Sequence, residues 1–350
     1  MVATKIIEPR YSGLPIIYLD HNILDAFLDN KLIKHKEALT HRFQVVYSNE
    51  TLNEIKRAGK ASPKFSDAFL DLLVQINANH MSVILDDKLL DTNQVRIVKG
   101  DPHTHFRKYC DTEPVIDGMK ESMLQLGFKI AGGRQGESLE DVAHGNVEAF
   151  EKLMDYLEEN IRDIEELFPD IAQQLRVVKT QKIEEYKTLS KENAKKMAEN
   201  IVDEKNWSGI KDFRQHLQLE PYHFNNINPP NVLEQIWEVI KSSKEMQNDF
   251  DSLDEFFMFN KQELFSGQPF HRHLKVLGAY NMLNSIGYYP DKPLHKGRGF
   301  KRATSDQMHV SLASFCNCLI TGDKRLWKKT EAIYEYLNVP TEVIYLDKMV

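Results

Sequence analysis

Four acidic residues stand where a parallel α/β sheet would bring them together. Asp20 closes the apolar run 16–19. Glu54 lies inside the helix expected after the run 43–47. Asp306 opens a helix in front of the run 316–321, and Asp323 ends that run within Ile-Thr-Gly-Asp. The carboxyl ends of parallel strands, and the helix starts beside them, converge on one sheet edge. Carboxylates gathered there repel one another and hold protons more tightly. Divalent cations relieve that repulsion. Hard oxygen ligands suit Mg²⁺ or Mn²⁺, with water and substrate phosphate completing the shell. Two such ions support phosphodiester hydrolysis: one lowers the pKa of the attacking water, the other steadies the leaving oxygen.

Each acid also has a purely structural explanation. Asp323 suits the N-cap of a helix over 324–337, and Asp20 that of a helix beginning near Asn22. Asp306 in a first helical turn complements the helix dipole. Glu54 follows Thr51 with capping-box spacing, although Ser48 is the better cap. One acid at each of the four places together is what favours a shared site.

The elements that would position them follow from periodicity. Runs 16–20, 43–47 and 81–85 read as strands, and 22–36, 48–57 and 64–78 as helices. This β-α-β-α-α-β alternation predicts a parallel sheet covered by helices. From about 88 to 268 there is almost no strand signal. Val147, Phe150, Met154, Leu157, Ile161, Ile164 and Phe168 recur at steps of three and four, a heptad seam over 147–168. It fits an intramolecular helical hairpin or a dimerising coiled coil, so a homodimer or other protein partner through 147–168 is one expectation. A polar helix over 171–204 and helices over 231–247 and after Ser252 follow. Near 271 the α/β pattern returns: a helix over 273–286, a basic loop over 292–302, a helix over 305–315, a strand at 316–321, a helix over 324–337 and a strand at 342–346. One α/β domain over 1–87 and 271–350, split by an α-helical insertion over 88–270, is the expected organisation.

Composition sets outer limits. The 350 residues, 41% hydrophobic and 28% charged, exclude wholesale disorder, collagen and disulfide-rich scaffolds. The balance of 45 basic and 52 acidic residues gives −7, which excludes a uniformly basic coat but not a local basic groove. Three cysteines, Cys110, Cys316 and Cys318, fit a reducing compartment. No apolar run reaches the roughly 18 residues of a membrane helix, and no signal peptide is read, so a cytoplasmic location without membrane association is expected.

The segments YLDHNILDAF (18–27), VVYSNETLNEI (45–55) and SDQMHVSLASFCNCLITGDKRLWKK (305–329) resemble the three signature blocks of PIN-domain nucleases. The matching residues are Asp20 and Asn22, Ser48 and Glu54, then Asp306, Ala313, Leu319 to Thr321 and Asp323. The resemblance covers about 150 residues and says nothing of 88–268. It implies a three-layer α/β/α fold with a mainly parallel central sheet, and an endoribonuclease that uses Mg²⁺ or Mn²⁺, two ions in the usual mechanism. Asp20, Glu54, Asp306 and Asp323 would then be the catalytic, metal-binding acids, with Asn22, Ser48 and Thr321 orienting them. The long insertion departs from the small toxin ribonucleases of this family. It would bind a partner, cover the site or select substrate, and a gated role in defence or stress response fits it.

Charge proposes where RNA, in single-stranded form, would lie. His295, Lys296, Arg298, Lys301 and Arg302 precede Asp306, and Lys324, Arg325, Lys328 and Lys329 follow Asp323. Phosphate contacts from such groups make binding salt-sensitive, and Trp327, Tyr288 and Tyr289 are candidate stacking rings. Weaker constellations are His103, His105 and Cys110 as Zn²⁺ ligands without an evident fourth, and the run AGGRQGE (131–137), which lacks the rest of a phosphate loop. Cys316 and Cys318 alternate along a strand and point to opposite faces. Other functions weighed are a haloacid-dehalogenase-like phosphatase, opposed by Asn22 where a second Asp is needed, a structure-specific DNA nuclease, and a catalytically idle scaffold that binds partners through the insertion.

Overall fold

Short apolar runs bounded by polar residues become the buried strands of this chain, and amphipathic stretches become the helices that cover them. The computed structural model describes residues 13–86, 90–165, 169–218, 220–224, 226–243, 249–265, 268–291 and 293–347. In chain order these form β1 (Ile16–Leu19), α1 (His21–Leu28), α2 (Lys36–Arg42), β2 (Gln44–Tyr47), α3 (Asn49–Gly59), α4 (Pro63–Gln75), β3 (Asn79–Leu85) and β4 (Asp91–Val98). Then come α5 (Pro102–Ile130), α6 (Leu139–Glu165), α7 (Pro169–Ala198), α8 (Gly209–Leu217), α9 (Val232–Lys241), α10 (Leu253–Phe256), β5 (Glu263–Phe265) and β6 (Gln268–Pro269). The chain continues with α11 (Arg272–Ile286), α12 (Gly297–Ala313), β7 (Cys318–Thr321), α13 (Lys324–Tyr336) and β8 (Glu342–Tyr345).

The fold is α/β, with a six-stranded, mostly parallel mixed sheet in the order β4-β3-β2-β1-β7-β8. β1 is central: Ile17 is in register with Val45 of β2 and with Cys318 of β7, both parallel. Alternation along β1 sends Ile17 and Leu19 into a core shared with Ile23, Leu24 and Phe27 of α1, Leu52 and Ile55 of α3, and Phe69 and Leu73 of α4. Burying each such side chain contributes about 1.5–3 kcal/mol. Tyr18, between them, points the other way and reaches His309 on α12. The parallel ends of β1, β2 and β7 therefore lie side by side.

Three predicted elements change. The helix expected over 22–36 ends at Leu28, and a separate helix begins at Lys36. β4 falls in the stretch that reads as almost strand-free, yet it pairs antiparallel with β3, Met81 opposite Ile97. It is an edge strand: Asn93, Gln94 and Arg96 are exposed, which dilutes its apolar alternation. The helix expected to open near 305 instead starts at Gly297, so the basic loop 292–302 is helical over its second half. Buried Ala303 and half-buried Phe300 supply an apolar phase that Gly297 and Gly299 mask in the sequence.

By internal contacts the chain divides into two compact units, 1–109 with 214–291 and 301–350, and 110–213 with 292–300. These bounds differ from 88 and 270 for identifiable reasons. β4 belongs to the sheet. The Arg214 guanidinium donates to the carbonyls of Asn284 (2.8 Å) and Ser285 (2.6 Å), and the Asn231 N–H donates to Glu335 (3.0 Å). In the second unit α6 packs along α7, with Phe150 against Tyr186 at 4.5 Å and Lys179 bridging Asp155 and Glu158. Phe150 of the heptad seam thus has an intramolecular partner, and the seam's Leu157, Ile161, Ile164 and Phe168 side chains lie outside what is described. Among the described residues no helix is long and apolar enough to cross a membrane.

Candidate functional site

Asp20 follows β1 directly and caps α1. Its Oδ1 accepts from the His21 N–H at 2.7 Å. Its Oδ2 accepts from Thr321 Oγ1 at 2.7 Å, and also from the Asn22 amide. Asn22 Oδ1 accepts from the Gly322 N–H (2.7 Å), and Thr321 Oγ1 from the Asp323 N–H (3.0 Å). Asn22 and Thr321 thereby lace the end of β1 to the end of β7 around one carboxylate. Burial raises the pKa of Asp20, although the charge of His309 and the Thr321 bond oppose it.

Glu54 is positioned by the start of α3. Ser48 caps that helix, accepting from the Glu50 N–H (3.2 Å), while Thr51 Oγ1 accepts from the Ser48 N–H (3.3 Å). The cap leaves Glu54 free for tertiary contacts. Its Oε2 accepts from His309 Nε2 (2.9 Å) and its Oε1 from Arg57 (2.9 Å), with His21 Nδ1 at 3.5 Å. Burial alone would raise its pKa. The charge and hydrogen bond of His309, with His21 and Arg57, outweigh burial and hold Glu54 down at about 2. His309 is 1% exposed. Burial disfavours its charge, but Tyr18, Glu54 and Asp20 raise its pKa well above the usual imidazole value. Protonated, it donates through Nδ1 to Tyr18 Oη (2.7 Å), which in turn meets Ser48 Oγ (2.6 Å). Ser48 bonds to no carboxylate among the described residues; it reaches Glu54 through Tyr18 and His309.

Asp306 departs most from expectation. Because α12 begins at Gly297, Asp306 sits inside the helix, where the dipole of a helix start does not favour its charge. Its carboxylate accepts no hydrogen bond from a described residue. Burial, then the charges of Asp291 and Asp20, raise its pKa well above the ordinary carboxylate range, against the pull of Lys329. Asp323 does cap α13, its Oδ1 accepting from the N–H groups of Arg325 (2.6 Å) and Leu326 (3.2 Å). Its cap role and its place near Lys329 coexist.

The basic residues divide. Lys324 and Arg325 are exposed at the start of α13, and Lys301 and Arg302 on α12 within the first unit. Lys296 and Arg298 are exposed but belong to the second unit. Lys329 is a correction. Its helical phase places it with Leu326, Thr330 and Ile333 on the buried face, with no exposure. Tyr288 is likewise fully buried, and Trp327 is stacked on Tyr345 with Lys328 over its ring, so these rings are already engaged. His103 pairs with Asp71 and His105 with Tyr47, which leaves the Zn²⁺ constellation unsupported.

Among the described residues no three His, Cys, Asp or Glu side chains stand as a ready-made metal-ligand group. Asp20, Glu54 and Asp306 are coupled through their charges, and carboxylate oxygens are the ligand type that suits a hard cation. Sequence reasoning passes over His309 and Asp291, and reads Lys329 as a substrate contact instead of a buried residue. His309 lies three residues from Asp306 on one helix face, a readable spacing. Lys329 is readable only through the phase of α13. Asp291, in a Pro-flanked loop, carries no signal.

Compared with models of protein families, with curated proteins and with solved structures, the chain has no match.

Proposed function

We propose that this chain is a PIN-like, divalent-metal-dependent endoribonuclease with a three-layer α/β/α core, Mg²⁺ or Mn²⁺ being held through carboxylates of Asp20, Glu54, Asp306 and Asp323. The observation that carries this reading is Asp306: a half-buried helix-interior acid that feels the charges of Asp291, Asp20 and Glu54 and accepts no hydrogen bond from a described residue. The ion, when bound, supplies acidification of a water and offsets charge on the scissile phosphate. The chain's own residues do the rest. Thr321 and Asn22 fix the Asp20 carboxylate. His309 and Arg57 keep Glu54 ionised and oriented. Exposed Lys324, Arg325, Lys301 and Arg302 contact single-stranded RNA through phosphates, which makes binding salt-sensitive. Cys316 and Cys318 are buried free thiols, which suits a cytoplasmic chain.

The experiment is cleavage of single-stranded RNA and of DNA side by side in Mn²⁺, with chelator as control. RNA cleavage that stops with chelator and falls at least 100-fold in a folded Asp306→Asn variant is the expected result. Equal cutting by the variant overturns the assignment. Preference for DNA would instead make the chain a structure-specific DNA nuclease.

A second reading has its own observation. Asp20 and Glu54 already accept hydrogen bonds from protein donors, and no three ligands stand grouped among the described residues. A catalytically idle scaffold that binds partners through its helical unit accounts for that. It predicts no thermal response to Mn²⁺ and no cleavage.

A further inference from the structure

One margin of the sheet carries a pair of stacked rings. Strand order places β8 outside β7, with no further strand beyond it among the described residues. Its last residue, Tyr345, is in register with Thr321, and the following N–H, that of Leu346, donates to the Thr321 carbonyl at 2.9 Å. Thr321 is the residue whose hydroxyl holds Asp20 at 2.7 Å. Two strand spacings, about 10 Å, therefore separate the end of β8 from the end of β1.

The Tyr345 ring lies on Trp327 of α13, with centroids 5.0 Å apart and planes 13° apart, an offset parallel stack. Lys328 Nζ stands 4.1 Å from the Trp327 centroid and 3.8 Å from Glu331. With a ring and an ammonium both held against it, Trp327 has no place for a base. Tyr345 differs. Trp327 is its one ring partner among the described residues, its hydroxyl donates to Asp347 at 3.2 Å, and it is only half-buried. An aromatic side chain fixed by a second ring, with surface left to solvent, loses little freedom when another flat group settles on it. The charge beside it points to what that group is. Lys324 and Arg325 are exposed in the first turn of α13, and Lys324, three residues before Trp327, is its neighbour on the helix surface. A flat ring next to exposed cations matches a nucleotide, base to ring and phosphate to cation.

We propose that Tyr345 is a base-stacking platform for single-stranded RNA, seating a nucleotide that flanks the phosphate at the carboxylate edge. The inference rests on the ribonuclease reading above and adds to it a residue that grips a base instead of a phosphate. Stacking accepts every base, so Tyr345 supplies grip without sequence preference. Trp327 is a positioning residue: it holds the Tyr345 ring and takes no base itself.

Binding of a fluorescein-labelled single-stranded RNA to the full-length chain in chelator, read by anisotropy, tests this without cleavage. Tyr345→Leu should weaken binding roughly 5- to 150-fold, the range for one lost base stack, while Tyr345→Phe binds as wild type does. The slope of affinity against salt should stay the same, because Lys324 and Arg325 keep their phosphates. A strand of equal length without bases should bind wild type and Tyr345→Leu alike. Wild-type affinity in Tyr345→Leu, a loss as large in Tyr345→Phe, a changed salt slope or an equal loss for the baseless strand each overturns the platform and leaves the ribonuclease reading standing. No RNA binding by the wild-type chain overturns both. Should Tyr345→Leu not fold, photocrosslinking of iodouridine-substituted RNA to the wild-type chain decides: adducts mapped to Tyr345 are expected, and adducts confined to other residues overturn the assignment.

Discussion

Glu54 and Asp306 share one cluster and feel each other's charge, yet their surroundings drive them apart. Around Glu54 the protein has placed a protonated imidazole and a guanidinium, and the carboxylate is held near pKa 2. Around Asp306 it has placed more carboxylates and, among the described residues, no hydrogen-bond donor, and the pKa rises. Burial acts on both with the same sign. The partners decide the outcome, which is how two like groups in one site come to have different tasks. Glu54 is stabilised by the fold and helps to stabilise it. Asp306 is a burden on the fold, which on the reading proposed here a bound cation would relieve.

The largest test of that contrast is His309→Ala. It removes the principal partner of buried Glu54 and should cost about 3–5 kcal/mol, as loss of one member of a buried ion pair does. Urea unfolding measures it. A loss below about 1 kcal/mol would mean that Glu54 does not depend on His309.

Acid comes next. The folded pKa of Glu54, about 2, lies below its ordinary 4.5. Its contribution is fully present above 4.5 and is lost as pH falls toward 2, roughly 3 kcal/mol by linkage. The stability gap between wild type and Glu54→Gln, followed through that window, should therefore close near pH 2. A gap that persists at full size there contradicts the ion-pair account. His309 carries the opposite sign: its contribution is present below the usual imidazole value and fades as pH rises through its raised pKa.

The smallest effect is the most diagnostic in sign. Asp306 keeps a proton in the folded chain that the unfolded chain has released, so its burden grows as pH rises above 3.8. Asp306→Asn should stabilise the metal-free protein at neutral pH, where burial and neighbouring acids penalise the wild-type carboxylate, and leave its stability unchanged near pH 3. Thermal melting in chelator at both pH values reads this directly. A variant less stable than wild type at neutral pH removes the contrast.

Much of the sheet is legible in the sequence, because β1, β2, β3, β7 and β8 are apolar runs with clear flanks. The juxtaposition of Asn22, Thr321 and Asp20 is legible too, since it follows from parallel strands ending together. β4 is not, because an exposed edge strand needs few apolar residues and its Asn93 adopts a left-handed backbone beside an irregular register. The start of α12 hides behind two glycines and a run of charge, and with it the interior position of Asp306. The partners that set pKa values are the least visible. Nothing in the residues around Asp291 announces that Lys329, 38 positions on in the chain, will be buried against it at 2.7 Å. A buried charge is decided by what the rest of the chain brings to it.

The central place of β1 has a consequence for how the protein is made. The bond from Thr321 to Asp20 spans 301 residues. Contacts of such separation form late, after the cost of closing the intervening chain has been met. A ribosome working at about 5–20 residues per second releases Asp20 and Glu54 well before Asp306 and Asp323 emerge. During synthesis the cluster is therefore two halves without a whole. On the activity proposed here, the nascent chain is harmless to the message that encodes it until translation has passed the last of the four acids.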